Sequence, residues 1–185
     1  MPDDSEKELI ARLRAGDGPA FHRLVEDYAP RLYALAYRIL RSPEDAQDVV
    51  QETLTGAYRS IAGFRGQSAL WTWLARILVR QTARFRRNAG PIRMHRLDTN
   101  DQDDRPPRLE PSVGPAIAGV DAKVDLAAAL ALLTVEHRQI VVLREIERMS
   151  YEQISQLMQI PLGTVESRLY RARGELRKLL ADWNI

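Results

Sequence analysis

Cysteine is absent from all 185 residues, which removes disulfides, thiolate catalysis and any cysteine-ligated zinc site. The only histidines are His22, His95 and His137. Their spacing suits no metal cluster, so neither a metal nor another cofactor is expected. Aromatic residues make up 6% of the chain, which leaves Leu, Ile, Val and Ala to build any core. No apolar run reaches the roughly 18 to 20 residues that cross a bilayer. The opening MPDDSEKE is acidic where a secretory signal is basic and then apolar. A cytoplasmic chain with no membrane insertion of its own is the expectation. Hydrophobic residues at 45% and charged residues at 28% are globular values, and the length suits two small domains.

Charge is unevenly placed. Residues 1–90 hold 14 Lys and Arg against 11 Asp and Glu, residues 91–121 hold 4 against 6, and residues 122–185 hold 9 against 8. Two basic pieces flank an acidic middle. Within that middle, residues 89–120 carry eight of the twenty Gly and Pro residues and no helical period, the composition of a flexible, solvated linker.

On either side the hydrophobic period is helical. Before the linker, Ser5 with Glu8 reads as a capping box for a first helix that stops near Gly16. Phe21, Leu24, Val25 and Tyr28 begin a stripe that Leu32, Leu35, Ala36, Ile39 and Leu40 continue past Pro30. Ser42-Pro43 is a helix start, with Glu44 and Asp45 in the first turn. Ala46, Val49, Val50, Thr53, Leu54, Ala57, Tyr58 and Ile61 follow at helical spacing. Gly63 to Ser68 break it, and a last helix carries Leu70, Leu74, Ile77, Leu78 and Phe85. After the linker, one helix is expected over Val124 to Leu133. Thr134 caps the next, and Ser150 with Gln153 forms a capping box for Tyr151 to Met158. A turn at Gln159-Ile160-Pro161 then leads into a longer final helix. The expected fold class is all-α: two small helical domains, an N-terminal bundle over 1–88 and a helix-turn-helix domain over 121–185, joined by the 89–120 linker.

Three groups of side chains carry possible chemistry. On the final helix Val165, Leu169, Ala172, Leu176 and Leu179 share one stripe, while Thr164, Ser167 and Arg171 point away and Arg168 lies at the border. Hydroxyls and a guanidinium on exposed N-terminal turns suit a DNA major groove; a merely solvated polar face is the alternative. On the helix after Ser68, Arg76 and Arg80 share a face with Arg87, and Trp71 and Trp73 precede them. Cations interleaved with aromatics match melted DNA, charge for the backbone and flat rings for unstacked bases; both tryptophans as core residues is the other reading. Asp45, Asp48 and Glu52 share a polar side with Gln51 adjacent. No histidine, lysine or phosphate loop accompanies them, so catalysis is not expected, and an acidic face suits a basic protein surface.

These segments together resemble an extracytoplasmic-function (ECF) sigma factor, a compact class of bacterial RNA polymerase specificity subunits. Pro43-Glu44-Asp45-Ala46-Gln47-Asp48-Val49-Val50-Gln51-Glu52-Thr53 is similar to that family's polymerase-binding helix. Phe64-Arg65-Gly66-Gln67-Ser68 and Thr72-Trp73-Leu74-Ala75-Arg76-Ile77 resemble its loop and helix for the minus-ten element. Ser150-Tyr151-Glu152-Gln153-Ile154 and Pro161 to Arg173 resemble its minus-thirty-five domain.

The resemblance implies a non-enzymatic factor that binds core RNA polymerase and promoter DNA, assists melting, and is held by an anti-sigma protein. Asp45, Asp48, Gln51 and Glu52 would contact polymerase. Phe64, Arg65, Gly66, Gln67, Ser68, Trp73, Arg76 and Arg80 would face the minus-ten element, and Thr164, Ser167, Arg168, Tyr170 and Arg171 the minus-thirty-five element. Three departures from the pattern carry expectations. Arg80 replaces a common Asn and implies a phosphate contact. Gln159 replaces the turn glycine and is expected to avoid positive φ. Glu166 replaces a common basic residue and implies an altered base preference. A stand-alone helix-turn-helix regulator and a metal-dependent enzyme using the three carboxylates are the rival readings.

Overall fold

The computed structural model describes residues 4–88 and 128–181, with side chains over 5–85 and 128–180. The 89–120 linker therefore lies outside the described residues, as does the first part of the helix expected from Val124. All described secondary structure is helical.

The N-terminal lobe is four helices: α1 (Asp4–Arg14), α2 (Gly18–Leu40), α3 (Pro43–Ser60) and α4 (Leu70–Asn88). Since α1 already includes Asp4, Ser5 lies inside its first turn and not ahead of it as the capping box required. Its apolar face, Leu9, Ile10 and Leu13, is buried. Left-handed Gly16, φ +78°, ends it and lets the Asp17 N–H reach the Arg12 carbonyl. Asp17 then caps α2 by accepting from the Ala20 N–H at 3.2 Å. Pro30 sits within α2 and is exposed, so the carbonyl it leaves without a helical donor is on the water side. One continuous helix results, as the stripe on both sides of Pro30 requires.

Ser42 caps α3 through the Asp45 N–H at 3.2 Å. Ala46, Val49, Val50 and Ala57 are buried against α2 and α4. Gly56 allows the close approach of α4, since a Cβ there would stand 3.4 Å from Ile77 Cγ2. The first turn of α4 borrows a cap from α1, the Glu6 carboxylate accepting from the Leu70 N–H at 2.6 Å.

In the C-terminal lobe, residues 128–132 are helical, and Thr134 caps α5 (Val135–Val141) through the His137 N–H. The chain continues as a π-helical turn over Val142–Ile146, which buries Val142 and Leu143 together. Both bonds of the Ser150–Gln153 capping box are present at the start of α6 (Tyr151–Met158). After the turn comes α7 (Leu162–Ala181).

Gln159 corrects one expectation: it is left-handed, φ 56° and ψ 44°. This geometry lets the Ile160 N–H return to the Ser155 carbonyl at 3.2 Å, while the Ser155 hydroxyl donates to the Ile160 carbonyl at 2.6 Å. The two bonds offset the strain of a side chain at positive φ.

The lobes pack on one another through α2 with α5 and α4 with α6. Arg138, 2% exposed, donates to the carbonyls of Leu130, Ala131 and Leu133 in its own lobe and to Ile39 in the other. Gln139 Nε2 reaches Thr82 Oγ1 at 3.3 Å. Glu147, its side chain 5% exposed, accepts from Arg31 at 3.1 Å, with Arg38 at 3.7 Å.

Candidate polymerase and nucleic-acid interfaces

The polar side of α3 presents Asp48, Gln51 and Glu52 to solvent. Asp45 is different. It lies one turn before Val49 and two before Thr53 on the inward row of the helix, and is 4% exposed. The expected three-carboxylate face is thus two carboxylates and a glutamine. Among the described residues no trio of His, Asp or Glu converges as metal ligands would.

Beside that face runs an apolar groove of about 780 Å³ between α2 and α3. Phe21, Val25, Pro30, Tyr33, Leu54 and Tyr58 form its walls, with Gln47 and Gln51 at its rim. Phe21 and Tyr58 meet edge to face at 5.0 Å, and Tyr58 is 59% exposed. Phe21, Leu54 and Tyr58 have the spacing of core residues, and spacing alone does not show that no third element covers them.

At the head of α4, a 3-10 turn over Ile61–Gly63 brings Phe64 into the core, 6% exposed, where its ring lies 4.9 Å from that of Trp73. Gly66 turns the loop at φ +69°. Gly63, Phe64, Arg65, Gln67, Ser68, Trp73 and Arg76 then line one cup of about 340 Å³. Trp71 and Trp73 each have an inner and an outer side. Trp73 packs on the core and lines the cup; Trp71 packs on the core and carries the Arg31 guanidinium 3.7 Å above its ring. The Arg76 Nε–H is buried without an acceptor. Arg80 and Arg84 continue from Arg76 at four-residue intervals and are exposed beside Leu157, Met158 and Gln159 of the other lobe. The side chain of Arg87 lies outside the described residues.

On α7, Val165, Leu169, Ala172 and Leu176 are buried and Leu179 is half-buried. Ser167 and Arg171 are exposed, Thr164 and Arg168 are half-buried, and Tyr170 is 82% exposed. Arg173 is held away from that row by Glu145, which accepts from Nη2 at 2.6 Å and Nε at 3.1 Å and raises the guanidinium pKa.

A bundle bearing an arginine-lined cup, followed by a capped helix-turn-helix, matches two family models: Sigma-70 region 2 over residues 24–91 and Sigma-70 region 4 over 123–176. The RNA polymerase sigma-H factor of Pseudomonas aeruginosa is 33% identical over 97% of this chain and 96% of its own. The chain belongs to the ECF RNA polymerase sigma factors. It is a non-catalytic initiation factor that directs RNA polymerase to promoters through regions 2 and 4. The ECF sigma-E factor of Haemophilus influenzae is 36% identical, over 91% of this sigma factor and 92% of that one. Among solved structures, the sigma factor RpoE in complex with the anti-sigma factor NepR from Bartonella quintana superposes with a TM-score of 0.62 at 26% identity, covering 87% of this chain and 96% of that one. No helix among the described residues is long and apolar enough to cross a membrane.

Proposed function

We propose that residues 1–88 form the polymerase-docking and minus-ten-reading domain and 121–185 the minus-thirty-five-reading domain, with 89–120 as the tether between them. The observation that carries this reading is the cup at the head of α4. Its loop, its aromatic wall and its arginine come together at one place, and a base flipped from the melted strand needs an enclosed slot with an aromatic face and hydrogen-bond donors. Phe64 supports the slot from beneath, Arg65, Gln67 and Ser68 rim it, and Arg76 lines its wall as a cation. Arg80 continues along the strand as a phosphate contact.

Asp48, Gln51 and Glu52 are the polymerase contacts, and the neighbouring groove adds an apolar surface to them. Asp45 acts from inside, shaping the first turn of α3. On α7, Thr164, Ser167, Arg168, Tyr170 and Arg171 face the upstream element. The chain works in the cytoplasm beside polymerase, and an anti-sigma protein is its expected inhibitor; the relative RpoE is in complex with one, NepR.

The packed lobes cannot reach both elements at once. Minus ten and minus thirty-five are about 25 base pairs apart, about 85 Å along B-DNA, whereas a compact chain of this length has a radius of gyration of about 16 Å. Polymerase must separate the lobes and fix their spacing, and each weak DNA contact then raises the effective concentration of the other. Transcription in vitro with core polymerase tests the assignment. Asp48→Lys with Glu52→Lys is expected to abolish polymerase binding while the helical signal stays unchanged; unaltered binding removes the docking role.

A further inference from the structure

Every DNA-facing surface meets a dense row of phosphates, so an unpaired carboxylate upon one is a cost unless it accepts from a base. Glu166 is such a carboxylate. The other glutamates of this lobe have partners close by: Glu145 holds Arg173, Glu147 accepts from Arg31, Glu175 faces His137 at 2.8 Å, Glu152 is held by the Ser150 hydroxyl, and Glu136 on α5 is not free either. Glu166 is exposed, and among the described residues no lysine or arginine pairs with it.

Its neighbours on the helix are equally telling. Leu162, Glu166 and Tyr170 follow at four-residue intervals, so they form one stripe drifting by about 40° per step. Leu162 is 41% and Tyr170 82% exposed. An acceptor between two uncovered apolar side chains, on the first turns of the helix proposed to enter the major groove, is an arrangement for base edges and not for phosphates.

We infer that Glu166 is a specificity-determining residue whose carboxylate accepts the N4 amino hydrogen of one cytosine in the upstream element, with Leu162 and Tyr170 excluding water beside it. Cytosine is the fitting base because its major-groove edge offers a donor alone. Adenine sets its N6 donor beside the N7 acceptor, which suits an amide and repels a carboxylate; guanine and thymine present acceptors. The inference rests on α7 reading the upstream element.

The test is transcription by core polymerase carrying the full-length chain, on promoters randomised through the upstream element, for the natural chain, Glu166→Ala and Glu166→Gln. The natural chain is expected to require cytosine at one position. Glu166→Ala should lose about 5- to 150-fold on that promoter and little on promoters already lacking the cytosine. Glu166→Gln should move the preference at that position toward adenine. A rise in activity on all sequences with an unchanged base profile would show a carboxylate that only repels, and would overturn the inference. Start sites indifferent to the whole upstream element would overturn the α7 reading instead, and this inference with it.

Discussion

Arg138 Nη1 donates to the Ile39 carbonyl at 3.0 Å across 99 residues of sequence and from one lobe into the other. Ile39 lies in the last turn of α2, where carbonyls have no helical donor; Leu130 and Ala131 lie in the last turn of the preceding helix and Leu133 just past it, the Leu130 carbonyl also accepting from the Leu133 N–H at 3.3 Å. One buried guanidinium therefore serves two helix C-termini, where the backbone dipoles favour a cation.

Arg138→Ala is expected to destabilise the chain by about 3 to 5 kcal/mol, because four inward carbonyls lose a charged donor. Urea unfolding measures this directly. A loss below about 1 kcal/mol would mean that water replaces the side chain at little cost.

The Glu147–Arg31 pair is the outer latch. Glu147→Gln is expected to populate separated lobes, seen as a larger radius of gyration in small-angle scattering, and to shift Trp71 emission as Arg31 leaves its ring. Added core polymerase should bind the variant at least as tightly as the natural chain, since less closed state has to be opened. Weaker binding would show that the latch belongs to the docking surface.

At the helix-turn-helix, Gln159→Gly should stabilise by about 0.5 to 1 kcal/mol by removing a Cβ from a left-handed position. Ser155→Ala should cost about 1 kcal/mol through its lost hydrogen bond. Thermal melts of both single variants and the double variant would show whether the two positions are coupled.

Asp17 accepts from Arg12 and from the Ala20 N–H, and both depress its carboxyl pKa. Its contribution is therefore present above the unfolded carboxylate value of about 3.9 and is lost as pH falls through the lower folded value. Asp17→Asn should flatten the acid limb of the stability profile below about pH 4 while leaving its neutral and alkaline parts parallel to those of the natural chain.

Arg80→Ala and Arg171→Ala separate charge from reading. The first should weaken promoter binding by holoenzyme evenly across sequences and lower the salt slope by about 1. The second should cost about 1 to 3 kcal/mol at one upstream base pair. A sequence-specific loss for Arg80→Ala would make it a base contact.

Much of the architecture was legible because its signals are short-range. Ser42 and the Ser150–Gln153 box start their helices where expected, since a cap and its N–H lie three residues apart. The α7 stripe from Val165 to Leu176 is buried as its period requires. The loop and aromatic-arginine helix of the cup were equally visible as neighbours in sequence. Misses arose where a partner is remote or where two local effects compete. The α4 cap comes from Glu6, 64 residues away. Ser5 has the chemistry of a cap, yet the helix already includes Asp4. Gln159 has the side chain of a helix former, and turn closure outweighed its backbone preference.

Sequence alone determined the helices, the caps of α3, α5 and α6, and the division into two lobes, and it named the candidate residue types for melted strand and duplex, because these depend on periodicity and on donors within a few residues. Tertiary structure decided that Asp45 faces inward, that Phe21, Leu54 and Tyr58 remain an open groove, and that Arg138 and Glu147 close the lobes on each other. Which face of a helix stays uncovered, and which carbonyl a guanidinium reaches, depends on the packing of elements far apart in the chain.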